Sequence, residues 1–147
     1  MKEINSMDLV LAGRSVNESF ARVSVAAFLA QLDPTLQEIA EVKTIVSEAV
    51  TNSIVHGYAE KKGSVQIKVR LYENNRVRIT IRDKGKGIED ITQAMQPCFT
   101  TGGEERAGMG FSIMQSFSDR FRVRSVPGKG TTVIVDKYIG QPTDNGK

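Results

Sequence analysis

The chain has little to staple or ligate with. Its 147 residues include one cysteine, Cys98, and one histidine, His56. A single cysteine excludes an internal disulfide and any multi-cysteine metal site. No apolar run approaches the length of a bilayer span, so no membrane helix is expected. Met1-Lys2-Glu3-Ile4-Asn5 lacks the long apolar region of a signal peptide, so a cytoplasmic protein is the expectation. There is no internal repeat and no linker. There is no G-x-x-x-x-G-K-S/T stretch, which excludes a Walker P-loop. The strand–helix crossovers of a dinucleotide fold are also missing. Charge is only mildly unbalanced, at +3. Arg76, Arg78 and Arg82 alternate with Val77, Ile79 and Ile81, and Arg120, Arg122 and Arg124 alternate with Phe121 and Val123. That is the pattern of a solvated sheet face, favoured over nucleic-acid binding.

What is present fits one domain over 1–147, with its core at about 7–138 and a frayed polar tail over 139–147. Met7 to Ala12 reads as a strand. Ser15 and Glu18 have the spacing of a capping box opening a helix that ends near Leu32, with Val16, Phe20, Val23, Ala27 and Ala30 as its buried stripe. Asp33-Pro34-Thr35 starts the second helix, with Pro34 suited to a first helical position, while Thr35 and Glu38 offer a second capping box that would move the start by a residue or two. The apolar positions of that helix are Leu36, Ile39, Val42, Val46, Ala49, Val50, Ser53 and Ile54, and it stops at Gly57. Val65–Leu71 and Val77–Ile81 alternate around Glu73-Asn74-Asn75, the mark of a hairpin. Pro97 to Ala107 reads as a mobile loop and Gly108 to Phe117 as a short helix. A second hairpin is expected about Pro127-Gly128-Lys129-Gly130. The sum is an α+β, two-layer sandwich: a mixed, mostly antiparallel sheet covered by helices.

Four short segments carry candidate chemistry. Glu48 and Asn52 lie one helical turn apart, at the border of the apolar arc. An amide oxygen there suits magnesium, and a carboxylate one turn away can take a proton from a hydroxyl. Asp83-Lys84-Gly85-Lys86-Gly87-Ile88 follows a strand; its carboxylate can accept from an adenine amino group, and its glycines let the backbone approach the base. Gly108-Met109-Gly110 would open a helix with free N–H groups for phosphate. Thr131, in Gly130-Thr131-Thr132, could bond the base. Arg106 sits where a guanidinium would reach a terminal phosphate. Taken singly, each has an ordinary explanation: an exposed polar pair, a turn, a helix start, a solvated arginine. Arg22 lies one turn after Glu18, the spacing of a helix ion pair.

The order Glu-x-x-x-Asn, D-x-G-x-G, G-x-G and G-T resembles the GHKL (Bergerat-fold) ATPases, which include DNA gyrase, MutL, a chaperone class and histidine kinases. Asn17-Glu18-Ser19-Phe20-Ala21-Arg22, Val46-Ser47-Glu48-Ala49-Val50-Thr51-Asn52 and Gln96-Pro97-Cys98-Phe99-Thr100-Thr101 resemble the small anti-sigma serine kinases more closely. That resemblance implies a homodimer that uses ATP and Mg2+, holds a sporulation sigma factor (sigma-F) away from RNA polymerase, and phosphorylates a serine of an anti-anti-sigma protein. A sigma-B stress regulator and the catalytic domain of a histidine kinase are the alternatives. By position, Glu48 is implied as general base, Asn52 as the Mg2+ ligand, Arg106 as the arginine of a lid over Thr100–Ala107, and Arg22 as the partner contact. The implied ATP-binding set is Asn52, Ser53, Asp83, Gly85, Gly87, Ile88, Thr100, Thr101, Gly108, Met109, Gly110, Phe111 and Thr131. Direct binding to nucleic acid or membrane is not expected.

Overall fold

The structure is a computed structural model that describes residues 2–57, 63–88 and 103–140. The elements run β1 (Glu3–Ala12), α1 (Asn17–Leu29), a 3-10 turn (Ala30–Leu32), α2 (Leu36–Thr51), a π-helical turn (Asn52–Gly57), β2 (Ser64–Tyr72), β3 (Arg76–Asp83), α3 (Gly103–Ser116), β4 (Arg120–Val126) and β5 (Gly130–Tyr138). The five strands form one sheet in the order β1-β2-β3-β5-β4. Among the described residues every pairing is antiparallel, where a mixed, mostly antiparallel sheet was expected.

Alternation divides the sheet into two faces. Val65, Ile67, Val69 and Leu71 of β2, Val77, Ile79 and Ile81 of β3, and Val133 and Val135 of β5 are buried with residues of all three helices in one core. Each such side chain, fully buried, contributes on the order of 1.5–3 kcal/mol. The intervening positions carry the arginines and face away from the helices, as the alternation predicted. Both hairpins form where expected. In the first, Asn75 takes the left-handed conformation (φ 63°) that asparagine tolerates.

Helix α2 follows its sequence closely. Thr35 Oγ1 accepts from the Glu38 N–H (3.0 Å) while Glu38 Oε1 accepts from the Thr35 N–H (2.8 Å), so the second capping box is complete. Pro34 therefore precedes the helix instead of taking the first helical position that Asp33-Pro34-Thr35 suggested. Val42, Val46, Ala49, Val50 and Ile54 are buried as expected, but Leu36, in the first turn, is 90% exposed. The helix also does not run unchanged to Gly57: it widens into the π-helical turn at Asn52.

The start of the chain departs further. Strand β1 begins at Glu3, four residues earlier than the apolar pattern suggested, because its outer half pairs through backbone with β2 rather than through buried side chains. Ser15 and Glu18 form no capping box. The Asn17 and Glu18 amides instead bond the backbone carbonyls of Arg14 and Ser15 (2.9 and 3.2 Å), and the Glu18 carboxylate turns to Arg22 (2.7 Å). The buried stripe of α1 is Ala21, Val25, Ala26 and Leu29. Val16, Phe20, Val23, Ala27 and Ala30, the stripe expected inside, all lie on the exposed side. The helix is apolar nearly all round, so period alone cannot choose the phase. The small side of Ala21 and Val25 is the one that lets α1 pack closely against α2.

Helix α3 starts at Gly103, not Gly108. Glu104, Glu105, Arg106 and Ala107 are strong helix formers, and two acids suit a helix N-terminus. The part of the expected loop before Gly103, with Cys98, Thr100 and Thr101, lies outside the described residues, as does the tail from 141.

Candidate nucleotide site

The candidate site grows from polar residues at positions where alternation calls for apolar ones. Along the inward phase of β3 come Val77, Ile79, Ile81 and then Asp83; along β5, Thr131 precedes Val133 and Val135; along β4, Ser125 follows Phe121 and Val123. Register places the three side by side, with Asp83 opposite Thr131 and Thr131 opposite Ser125. One end of the core sheet face is therefore polar.

Asp83 is 4% exposed. Its Oδ1 accepts from the Gly85 N–H (2.9 Å) and the Thr131 N–H (3.3 Å), and Ser53 adds a side-chain hydrogen bond. Burial pushes the carboxyl above its ordinary value of 3.8, and these three donors oppose that rise without cancelling it. A carboxylate has about four acceptor positions, so with three donors it keeps capacity for an amino group. The turn after Asp83 is clamped to the β4–β5 hairpin. Ser125 Oγ accepts from the Ile88 N–H (2.7 Å), meets the Gly130 carbonyl (3.1 Å) and the Thr131 hydroxyl (2.8 Å), and the Gly128 N–H donates to the Lys86 carbonyl (2.6 Å). Gly87 (φ 76°) and Gly130 (φ 132°) make the clamp possible: a Cβ on Gly87 would collide with the Val126 carbonyl, and one on Gly130 with the Asp83 carbonyl. Ser125 did not stand out in the sequence, although a small polar residue on an apolar phase was its signal.

The second half of the site lies where α2 meets α3. Glu48 and Asn52 are half-buried and face Gly110. A Cβ on Gly110 would lie 2.9 Å from Glu48 Oε1 and 3.2 Å from Asn52 Nδ2, so only glycine leaves the pair undisturbed. Among the described residues, buried Asn52 Nδ2 has no hydrogen-bond partner. An unpaired buried amide costs on the order of 1–3 kcal/mol, so this N–H is a candidate donor to water or to a bound group. The π-helical turn joins the halves: Asn52 points toward Gly110 while the next residue, Ser53, bonds Asp83. Such turns recur at functional sites because they re-aim side chains within a helix.

Other expected site residues fall differently. Gly108 and Gly110 lie inside α3, so their N–H groups belong to helical bonding and are not the free donors of a helix start. Phe111 is buried in the core and stacks obliquely on Phe121 (6.3 Å). Met109 is half exposed. Ile88 packs partly against the core, and its N–H is already taken by Ser125. The Arg106 backbone is helical, so the lid expected over Thr100–Ala107 is helix from Gly103 onward. Thr100 and Thr101 and the Arg106 side chain lie outside the described residues. Arg22 forms the i,i+4 ion pair with Glu18 (2.7 Å), remote from both halves of the site in sequence and set in the exposed stripe of Phe20 and Val23.

Comparison with known proteins follows the same line. The family model described as histidine kinase-like ATPase domain matches residues 14–137. An anti-sigma F factor of a Thermoanaerobacter strain is 58% identical over 141 residues, which covers 95% of this chain and 98% of that one. The chain belongs to the anti-sigma F factor family. The anti-sigma F factor of Bacillus subtilis is 53% identical over 139 residues, covering 93% of this chain and 94% of that relative. Among solved structures, the RsbU and RsbW domains of a Mycobacterium tuberculosis protein superpose with a TM-score of 0.68 at 20% identity, over 92% of this chain and 32% of that one. That likeness shows the fold, which is the α+β ATPase sandwich expected. Among the described residues no helix is long and apolar enough to cross a membrane.

Proposed function

We propose that this member of the anti-sigma F factor family is a cytoplasmic, ATP-dependent protein serine kinase. As a homodimer it holds a sporulation sigma factor, sigma-F, away from RNA polymerase, and it phosphorylates a serine of an anti-anti-sigma antagonist. The observation that carries the reading is the joined arrangement of Glu48, Asn52 and Gly110 with Ser53 and Asp83. It supplies one acid for the base and one for the reacting hydroxyl, on opposite sides of a single π-helical turn.

In this reading Asp83 accepts from the adenine amino group, with Thr131 and Ser125 holding its surroundings. Gly110, lacking a Cβ, lets Glu48 and Asn52 keep the positions from which they would face the phosphates. The unpaired Asn52 Nδ2 would donate to a phosphate or water oxygen, and the oxygen of the same amide would hold a magnesium ion with its waters. When bound, that ion neutralises phosphate charge. Glu48 takes the proton of the partner's serine as its oxygen forms a bond to the terminal phosphorus. The bond from that phosphorus to the bridging oxygen breaks, and ADP departs. Such transfer depends on positioning and electrostatics more than on covalent help. Arg106, one turn before Gly110, is assigned to the terminal phosphate.

The exposed α1 stripe supports a protein partner. Val16, Phe20 and Val23 are 50–70% exposed on one helix face, with Arg22 among them. A contiguous apolar patch rimmed by charge is the composition of an interaction surface. The decisive experiment incubates the purified chain with ATP, Mg2+ and the antagonist, then locates the modified side chain by mass spectrometry. Phosphoserine on the antagonist is expected; acid-labile phosphohistidine would instead assign the chain to histidine-kinase chemistry.

A further inference from the structure

The face of the sheet turned away from the helices contains a hollow that the nucleotide reading does not use. It measures about 350 Å³ and is lined by Gln66, Lys68, Thr80, Arg82, Arg124 and Thr132. Register explains the grouping. Gln66, Arg82, Thr132 and Arg124 stand in one rung across β2, β3, β5 and β4, and Lys68 and Thr80 stand in the next. Among the described residues, three of the six that line it are cationic and none is acidic or aromatic.

Elsewhere on the face the cations sit beside acids: Arg120 lies opposite Asp136, and Arg122 is close enough to lower its carboxyl. Arg70 pairs with Asp8 (2.7 Å) and approaches Glu3 (3.7 Å), and Arg78 holds Asp136 (2.8 Å). Among the described residues Arg82 and Arg124 form no ion pair, and both are exposed. Lys68 lies opposite Asp8, whose carboxylate is engaged by Arg70. The hollow thus brings Lys68, Arg82 and Arg124 together with no acidic side chain in its described lining, and its one neighbouring acid, Asp8, is already held by Arg70.

We infer that this hollow docks an extended, acidic polypeptide segment of a partner protein. Two guanidinium forks and an ammonium match carboxylates. In an extended segment, carboxylates at alternate positions lie about 7 Å apart on one side, within reach of side chains rooted two strands, about 10 Å, from each other. Gln66, Thr80 and Thr132 add donors and acceptors for the segment's backbone. Nucleic acid fits less well, because no aromatic ring lines the hollow to stack a base, and three cations fall short of the roughly 6–10 phosphate contacts that give strong salt-dependent binding. A second copy of the chain placed face to face would oppose like charges. The hollow is also back to back with the nucleotide site: Arg82 and Thr132 face outward next to Asp83 and Thr131, which face inward. Both sides can therefore be occupied at once.

The test is fluorescence anisotropy on the full chain with a labelled peptide of about ten residues that alternates Glu and Thr, with and without ADP. The peptide is expected to bind, to weaken as salt rises, and to ignore ADP. Combining Lys68→Ala, Arg82→Ala and Arg124→Ala should weaken it at least about tenfold, while Arg120→Ala with Arg122→Ala should cost less than about threefold. All five side chains are on the surface, and an unchanged melting curve checks that the triple variant folds. The inference fails if the peptide does not bind, if a Gln–Thr peptide binds equally, if the triple variant retains full affinity, or if a thymidine oligonucleotide displaces the peptide at equal concentration. Loss of ADP binding with peptide binding intact would count against the nucleotide site alone.

Discussion

Gly110→Ala separates fold from chemistry. The added methyl would lie 2.9 Å from Glu48 Oε1 and 3.2 Å from Asn52 Nδ2. Ordinary carbon contacts begin near 3.5 Å, so the Glu48 carboxylate must retreat by about 0.5 Å. It sits at the end of a flexible side chain, and moving it off its rotamer costs about 0.5–1.5 kcal/mol. Alanine returns about 1 kcal/mol of helix propensity over glycine inside α3. The two nearly cancel, so the melting temperature should move by no more than about 2–4 °C. The chemistry should not be spared. A misplacement of about 1 Å can cost about 100-fold, so a displacement half as large predicts a loss of about tenfold in the transfer rate. Calorimetry with ADP should show a smaller change than the rate does. A folded variant that phosphorylates the antagonist at the normal rate would refute the placement of Glu48 at the reacting group.

Other substitutions probe the remaining parts. Glu48→Gln keeps shape and nucleotide binding while transfer falls by about 100-fold or more, as radiolabelled ATP would show. Asp83→Asn should weaken adenine nucleotides by about tenfold or more while leaving the empty protein as stable at neutral pH, or more so. The sign follows from the raised carboxyl: its stability contribution is full below 3.8 and declines as pH rises through the folded value, a decline that asparagine avoids. Arg78→Ala acts oppositely. Burial alone would raise Asp136, but the Arg78 hydrogen bonds and charge outweigh it and hold the carboxyl below 3.8. The pair therefore stabilises above 3.8 and fades as pH falls through the lowered value. Urea unfolding should give a deficit of about 1–3 kcal/mol for Arg78→Ala at pH 7, shrinking in strong acid. Phe20→Ser should leave the melting curve within about 0.5 kcal/mol of the parent, because the ring is 56% exposed, and weaken partner capture by about tenfold.

Much of this was legible in the sequence because single features had one meaning. Alternation around Val77, Ile79 and Ile81 fixed both the strand and its solvated face, and Thr35 with Glu38 named a cap that both partners complete. Asp83 and Thr131 were legible as a polar end to apolar strands. The failures came where two physical solutions shared one pattern. Helix α1 offers two apolar stripes, and tertiary packing selected the smaller one. Ser15-x-x-Glu18 had the spacing of a cap, but neighbouring carbonyls took the amides and Arg22 took the acid. Gly108 and Gly110 suggested a helix start, whereas Gly110 serves by being thin where α3 crosses Glu48 and Asn52. Ser125 and the π-helical turn had no motif at all; they depend on which strand lies beside which.

The central claim is that separate segments of the chain enclose one adenine nucleotide, with Asp83 reading the base and Asn52 beside the phosphates. A crystal structure with ADP and Mg2+ tests it most directly. The account predicts the adenine amino group within about 3 Å of the Asp83 carboxylate and the ion on Asn52. Nucleotide bound elsewhere, or a purine out of reach of Asp83, would contradict it.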